Sequence, residues 1–187
     1  VRRAGPRLFT AALTATLVGL LAGCGSADEQ PDGQPPEALM TIVVTSPAFG
    51  DGETIPQRFT CDSEDISPPL EFADVPTGAA ELALLVEDPD APSGTFVHWV
   101  MWGVDPGQSS VAAGEVPAGA QQGSNDFGRQ GYGGPCPPPG DPHRYVFTVF
   151  AASQPLSLVA GSSADDLRRA LADHTLAAGA LTGRYGR

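Results

Sequence analysis

Three apolar runs constrain this chain more than anything else in it: "AELALLVED" (Ala80–Asp88), "TFVHWVMWGV" (Thr95–Val104) and "RYVFTVFAAS" (Arg144–Ser153). Each has nine or ten residues, is dense in Val, Leu, Phe and Trp, and is bounded by Gly, Pro, Asp or Ser. Such runs read as strands, and they carry too few polar positions to leave a face in water, so both faces are expected to be covered. "TIVVTS" (Thr41–Ser46) is a further β-branched strand. "GETIPQRFT" (Gly52–Thr60) reads as an edge strand because Pro56 cannot donate to a central ladder, and "SPPLEFADVP" holds a short extended segment. Residues 105–143 are mostly Gly, Pro, Ser and Gln, a long loop region of the kind that usually carries function.

One segment asks to be a helix. "SSADDLRRALADHTLAAG" offers Ser162 or Ser163 as N-cap, Asp165 and Asp166 in the first turn, and Leu167, Ala170 and Leu171 on one stripe. Gly179 suits its C-terminal stop, and "ALTGRYGR" then closes the chain as a last strand. Many short strands, abundant turns and one C-terminal-region helix add up to a mainly β chain, a β-sandwich with minor helical decoration.

The first 23 residues read as an address. "VRRAGPRLFTAALTATLVGLLAGC" has a basic head, an apolar run from Leu8 to Leu21 and small residues before a cysteine, which is the layout of an export signal. The run is short for a membrane span, which wants about 20 apolar residues. "LAGC" (Leu21–Cys24) matches the lipobox of bacterial lipoproteins, with Cys24 as the acylated residue. The expected organisation is a lipoprotein signal peptide over 1–23, lipidated Cys24 and a Pro- and Gly-rich tether over 24–40, and one domain over 41–187. That places the domain outside the cytoplasmic membrane, held by lipid alone.

Charge narrows the partners. The chain has ten Arg and no Lys against 22 Asp and Glu, and three of the arginines precede residue 8. Without residues 1–23 there remain 7 Arg and 22 acids, a formal −15. Such a body repels nucleic acid and anionic bilayers. Of the cysteines, Cys24 is assigned to lipid. Cys61 and Cys136 then form an even pair in an oxidising compartment, which invites a disulfide, with two buried thiols as the alternative.

His98 sits inside the second apolar run, where an imidazole is costly unless hydrogen-bonded. The turn "DPDAPSG" delivers Asp88 and Asp90 beside it if the flanking strands pair. A carboxylate on one ring nitrogen would leave the other facing a pocket. The bland alternative is a satisfied core histidine. "GYGGPCPPPGDPHRY" (Gly131–Tyr145) adds flexible glycines, rigid prolines and His143 with Tyr145 two apart, on one side of a strand. Arg144 between them should point the opposite way, into a structural ion pair. Trp99 and Trp102 are expected in the core, and His174 receives no role.

In this order, "DPDAPSG", "VHW" and "GYGGPCPPPGDPHRYVFTVFA" resemble the phosphatidylethanolamine-binding protein family, in particular its bacterial Raf-kinase-inhibitor-like branch; "FTCDSEDISPPLEF" and "GRYGR" add to the likeness, which spans nearly all of 42–187. The resemblance implies a two-sheet antiparallel β-sandwich with a small pocket for anions or phosphorylated groups. Carried over by position, the pocket residues are Asp88, Asp90, His98, Gly134, Pro135, His143 and Tyr145, with Tyr132 and Gly133 as additions. The acids would hold the histidines as donors, and affinity would rise as pH falls through the histidine range. Val97 stands where animal members tend to carry another histidine, and the C-terminal helix that flanks their pocket is missing, so kinase regulation does not transfer.

The reading is a non-enzymatic binding protein for a small anionic or phosphorylated ligand, with no cofactor, no metal and no nucleic acid. A protein-level inhibitor of an extracellular protease or other partner is the second reading. A phosphate-ester or metal-dependent hydrolase is the third, weakened by the lack of HExxH or G-x-S-x-G patterns.

Overall fold

A computed structural model describes residues 40–187; the expected signal segment, Cys24 and the tether lie outside the described residues. The elements run β1 (Met40–Thr41), β2 (Val43–Thr45), β3 (Leu70–Ala73), β4 (Glu81–Asp88), β5 (Phe96–Val104), β6 (Ser110–Val111), β7 (Gln121–Gln122), β8 (His143–Ala152), α1 (Ala164–Leu171) and β9 (Thr175–Tyr185). They form a six-stranded sheet ordered β1-β9-β8-β4-β5-β7 and a three-stranded sheet ordered β2-β3-β6. The described residues form a mainly β, two-sheet sandwich with one α-helix. Among the described residues no helix is long and apolar enough to cross a membrane.

The central strands are covered on both sides, as their composition demands. Period-two alternation sends Leu82, Leu84 and Val86 of β4 into the core between the sheets, with Phe147 and Val149 of β8. The intervening Ala83 and Leu85 pack instead with Val100, Trp102, Leu167 and Leu171 under α1. Trp99 and Trp102 are buried in these two separate cores.

Three expectations change. Gly52–Thr60 forms no edge strand; it contributes an isolated bridge from Thr54 to Arg184 and a 3-10 turn at Gln57–Phe59. Pro56 takes the N-cap position of that turn, where its fixed φ and missing N–H cost little. The Thr41–Ser46 segment is divided between the sheets, β1 pairing parallel with β9 and β2 antiparallel with β3.

The helix begins where expected. Ser163 and Asp166 form a reciprocal capping box. It ends at Leu171, eight residues before Gly179, with Asp173 at a φ of 62° just beyond it. "TLAAGALTGRY" then pairs along the whole of β8, and that ladder overrides the helix propensity of its alanines. Gly179 lies mid-strand for a steric reason: a Cβ there would sit 1.8 Å from the Ile42 carbonyl oxygen.

Candidate functional site

The site lies where β4 ends and β5 and β8 begin. On β8 the alternation turns His143 and Tyr145 inward and Arg144 outward, and Asp88 is the last inward residue of β4. His98 arrives by an irregularity. Val86 pairs with Trp99 but Glu87 pairs with Val97, so His98 is the extra residue of a β-bulge. A bulge puts two successive side chains on one face, and Trp99 and His98 both turn inward.

These groups enclose a cavity of about 160 Å³ lined by Asp88, His98, His143 and Tyr145, with Phe96, Phe127 and Pro137 among its apolar walls. That is below the roughly 300–1,000 Å³ of drug-sized sites, so it suits a group of a few heavy atoms. The polar floor is buried: Asp88 and His98 are each 3% exposed and Tyr145 1%.

Asp88 does not pair with His98, contrary to the sequence reading. The His98 Nδ1 lies 2.6 Å from the Gly133 carbonyl oxygen. A carbonyl only accepts, so Nδ1 carries a proton, and in the uncharged ring that burial favours Nε2 presents a lone pair. Burial pushes the His98 pKa below its ordinary value, opposed by the Gly133 carbonyl. Asp88 instead accepts from His143 Nδ1 at 2.7 Å through Oδ2, and from the Asp90 amide at 2.8 Å through Oδ1. The Tyr145 hydroxyl is buried close to the Asp88 carboxylate and the Cys136 backbone but makes a well-formed hydrogen bond with neither; burial and the nearby Asp88 charge push its pKa up.

Asp90 is the clearest departure from the expected pocket. β4 has ended, and its carboxylate turns to the outer face, where Arg144 Nε and Nη2 grip it at 2.9 and 2.6 Å. Those bonds hold its pKa well below the carboxylate range. The expectation that Arg144 forms an outward ion pair describes this contact.

Tyr132, Gly133, Gly134 and Pro135 stand behind the cavity, outside its lining. Tyr132 donates to the Phe59 carbonyl at 2.8 Å, and its ring meets Trp99 edge-on. The Gly134 amide donates to Asp65 at 2.7 Å, and the Pro135 carbonyl accepts from the Cys61 amide at 3.1 Å. A Cβ on Gly134 would meet the Phe59 carbonyl oxygen at 2.6 Å, so only glycine lets these two backbones touch. Cys61 and Cys136 are joined by a disulfide with a Cα separation of 5.4 Å, and Cys136 forms part of the wall.

Two contributors escaped the sequence reading. Phe127 is 42% exposed at the cavity, edge-on to both Phe96 and His98. Buried Asn125 shapes its loop, accepting from the Phe127 and Arg129 amides and donating to the Gly131 carbonyl. An aromatic within the polar stretch "SNDFGRQG" was the available signal. Among the described residues no three His, Cys, Asp or Glu side chains gather to hold a metal ion.

A two-sheet sandwich with a small, polar-floored cavity at the ends of its central strands has the architecture of a binding protein. Residues 45–186 match the family model described as phosphatidylethanolamine-binding protein, and the chain belongs to that family. It is similar to a UPF0098 protein of Methanothermobacter thermautotrophicus, 45% identical over 145 residues that cover 75% of this chain and 95% of that one. A Mycobacterium tuberculosis protein named as a candidate lipoprotein, LppC, is 38% identical over 193 residues, 95% of this chain and 94% of the relative. Among solved structures, CT736 of Chlamydia trachomatis, described as a candidate homologue of phosphatidylethanolamine-binding protein, superposes with a TM-score of 0.75. It shares 39% identity over 79% of this chain and 98% of that one.

Proposed function

We propose that this protein is a non-enzymatic receptor for a small anionic or phosphorylated group, exported and held by lipid outside the cytoplasmic membrane. The buried Tyr145 hydroxyl carries the reading. An unpartnered buried donor costs about 1–3 kcal/mol, and this one belongs to a residue that lines a cavity shared with two imidazoles. A bound oxyanion would satisfy it. Catalysis is disfavoured by chemistry: the lining offers no serine or threonine, and its cysteine is locked in a disulfide. The test is a titration of the full chain with inorganic phosphate, followed by the ring protons of His98 and His143. Saturable shifts of both are expected, with the His143 shift lost in His98→Ala; unmoved rings would refute the receptor.

Residues 1–23 are proposed as a signal peptide, 24–40 as the tether and 41–187 as the domain. The basic head, the apolar run and "LAGC" support lipidation at Cys24, as does the relative named as a candidate lipoprotein. Palmitate labelling of the expressed chain should vanish in Cys24→Ser, and persistent labelling would sink the anchor.

A further inference from the structure

An anion receptor would ordinarily present fixed positive charge, and this cavity presents none. The charged or titratable groups that face it are Asp88 from β4, His98 from β5, and His143 and Tyr145 from β8. The walls contributed by the loops are Ala91, Pro92, Phe127, Cys136, Pro137 and Pro138, all uncharged. The nearby guanidiniums are already engaged, Arg144 by Asp90 on the outer face and Arg187 by Asp62. Asp126, whose charge also reaches His98, is held by the Val97 amide at 2.7 Å.

The polar groups are moreover of both kinds. The Tyr145 hydroxyl is a donor seeking an acceptor. His98 Nε2 is the opposite, because the Gly133 carbonyl has claimed the ring's proton at Nδ1 and leaves Nε2 of the uncharged ring as an acceptor. Asp88 adds a carboxylate just behind, committed to the His143 ring and the Asp90 amide. A fully ionised oxyanion would satisfy Tyr145 but would press one of its oxygens against the His98 lone pair.

Resting on the receptor reading above, we infer that the cavity selects a tetrahedral oxyanion that carries its own proton, hydrogen phosphate or a phosphomonoester monoanion, and rejects sulfate. The P–O–H group donates to His98 Nε2 while an ionised oxygen accepts from the Tyr145 hydroxyl. No proton need be taken from water, and the single negative charge left on a monoester is the least that Asp88 can repel. The selectivity is thus written in the histidine tautomer, which a loop carbonyl fixes.

Calorimetric titration of the full chain at constant ionic strength, with inorganic phosphate, methyl phosphate and sulfate at pH 5.5 and 8, tests this. A phosphomonoester loses its last proton near a pKa of about 6, so methyl phosphate should weaken by roughly fifty- to a hundredfold between the two pH values. Inorganic phosphate keeps a P–O–H at both and should change far less. Sulfate should bind about ten-thousandfold weaker than phosphate at either pH, the scale on which a site built to accept a ligand's proton rejects an analogue without one. Nitrogen-15 shifts should show His98 Nε2 still unprotonated in the phosphate complex. Sulfate binding within a few-fold of phosphate, or a doubly protonated His98 ring in the complex, overturns the selectivity while leaving an anion receptor in place. Binding of none of the three anions overturns both.

Discussion

Removing the Cys61–Cys136 disulfide should cost much stability and little affinity. The two cysteines are 75 residues apart. For a loop of that length the chain-entropy treatment gives about 15 cal/mol/K, or roughly 4.5 kcal/mol at 25 °C, all of it acting on the unfolded ensemble. For a domain of about 150 residues that is a fall in Tm of roughly 10–15 °C. In the folded state the same wall is held without sulfur, by the Cys61 amide on the Pro135 carbonyl, Asp65 on the Gly134 amide and Tyr132 on the Phe59 carbonyl. Arg187 adds its two Nε contacts to Asp62 at 2.9 and 3.0 Å, which with the Tyr185 hydroxyl bring the Asp62 pKa down to about 2. Urea unfolding of the Cys61→Ala/Cys136→Ala double variant, read by fluorescence of buried Trp99 and Trp102, gives the stability. Phosphate titration of the still-folded variant gives the affinity, expected within about threefold of the parent, since Cys136→Ala trims one sulfur from the wall and leaves the polar groups of His98, His143 and Tyr145 in place. A stability loss under about 1 kcal/mol would refute the loop-entropy account. A collapse of affinity in the folded variant would show that the disulfide holds the wall in place.

Tyr145→Phe deletes the unpartnered buried hydroxyl and should raise stability by about 1 kcal/mol while weakening phosphate binding; denaturation paired with titration checks both signs. Glu81 is buried with Oε1 unpartnered, and burial raises its pKa above 4.5. Its folded form therefore holds the proton longer than the unfolded chain does. Stability from this group is full below pH 4.5 and is lost as pH rises through the folded value, so Glu81→Gln should flatten that part of a urea-midpoint profile. Gly134→Ala would drive a Cβ to 2.6 Å from the Phe59 carbonyl oxygen and 2.8 Å from the Thr60 Cα. Both are backbone atoms, so a loss of about 1–3 kcal/mol is expected in chemical unfolding, with a moved His98 ring signal because the adjacent Gly133 carbonyl must shift.

Much of the frame was legible because it follows from periodicity. The three apolar runs became β4, β5 and β8, and the spacing of His143 and Tyr145 correctly put both on one face with Arg144 on the other. The partner of His98 was not legible, since simple alternation carries no sign of a one-residue bulge between Val97 and Trp99. Nor was the end of the helix. Sequence rules look for glycine in the left-handed region, and here Asp173 takes a φ of 62° while Gly179 serves a close approach to Ile42. Both failures come from contacts distant in sequence, which local propensity does not report.

Asp88 and Asp90 show how one edge of the sheet keeps two chemistries apart. β8 presents His143 inward and Arg144 outward at successive positions, and each finds one of the two acids across the neighbouring turn. The outer pair ties the turn to β8 through three bonds, one of them from the Arg144 amide to Asp90 at 2.9 Å. Half exposed as the arginine is, that contact is screened, and its weight lies in geometry rather than in Coulomb energy. Its larger consequence is negative: a guanidinium adjacent in sequence to the His143 imidazole is kept outside the cavity. With Arg144 inside, any anion would be attracted and the His98 lone pair would count for little. With it outside, the cavity is left to Asp88, two imidazoles and a phenol, the set on which the proposed preference for a ligand that brings its own proton depends.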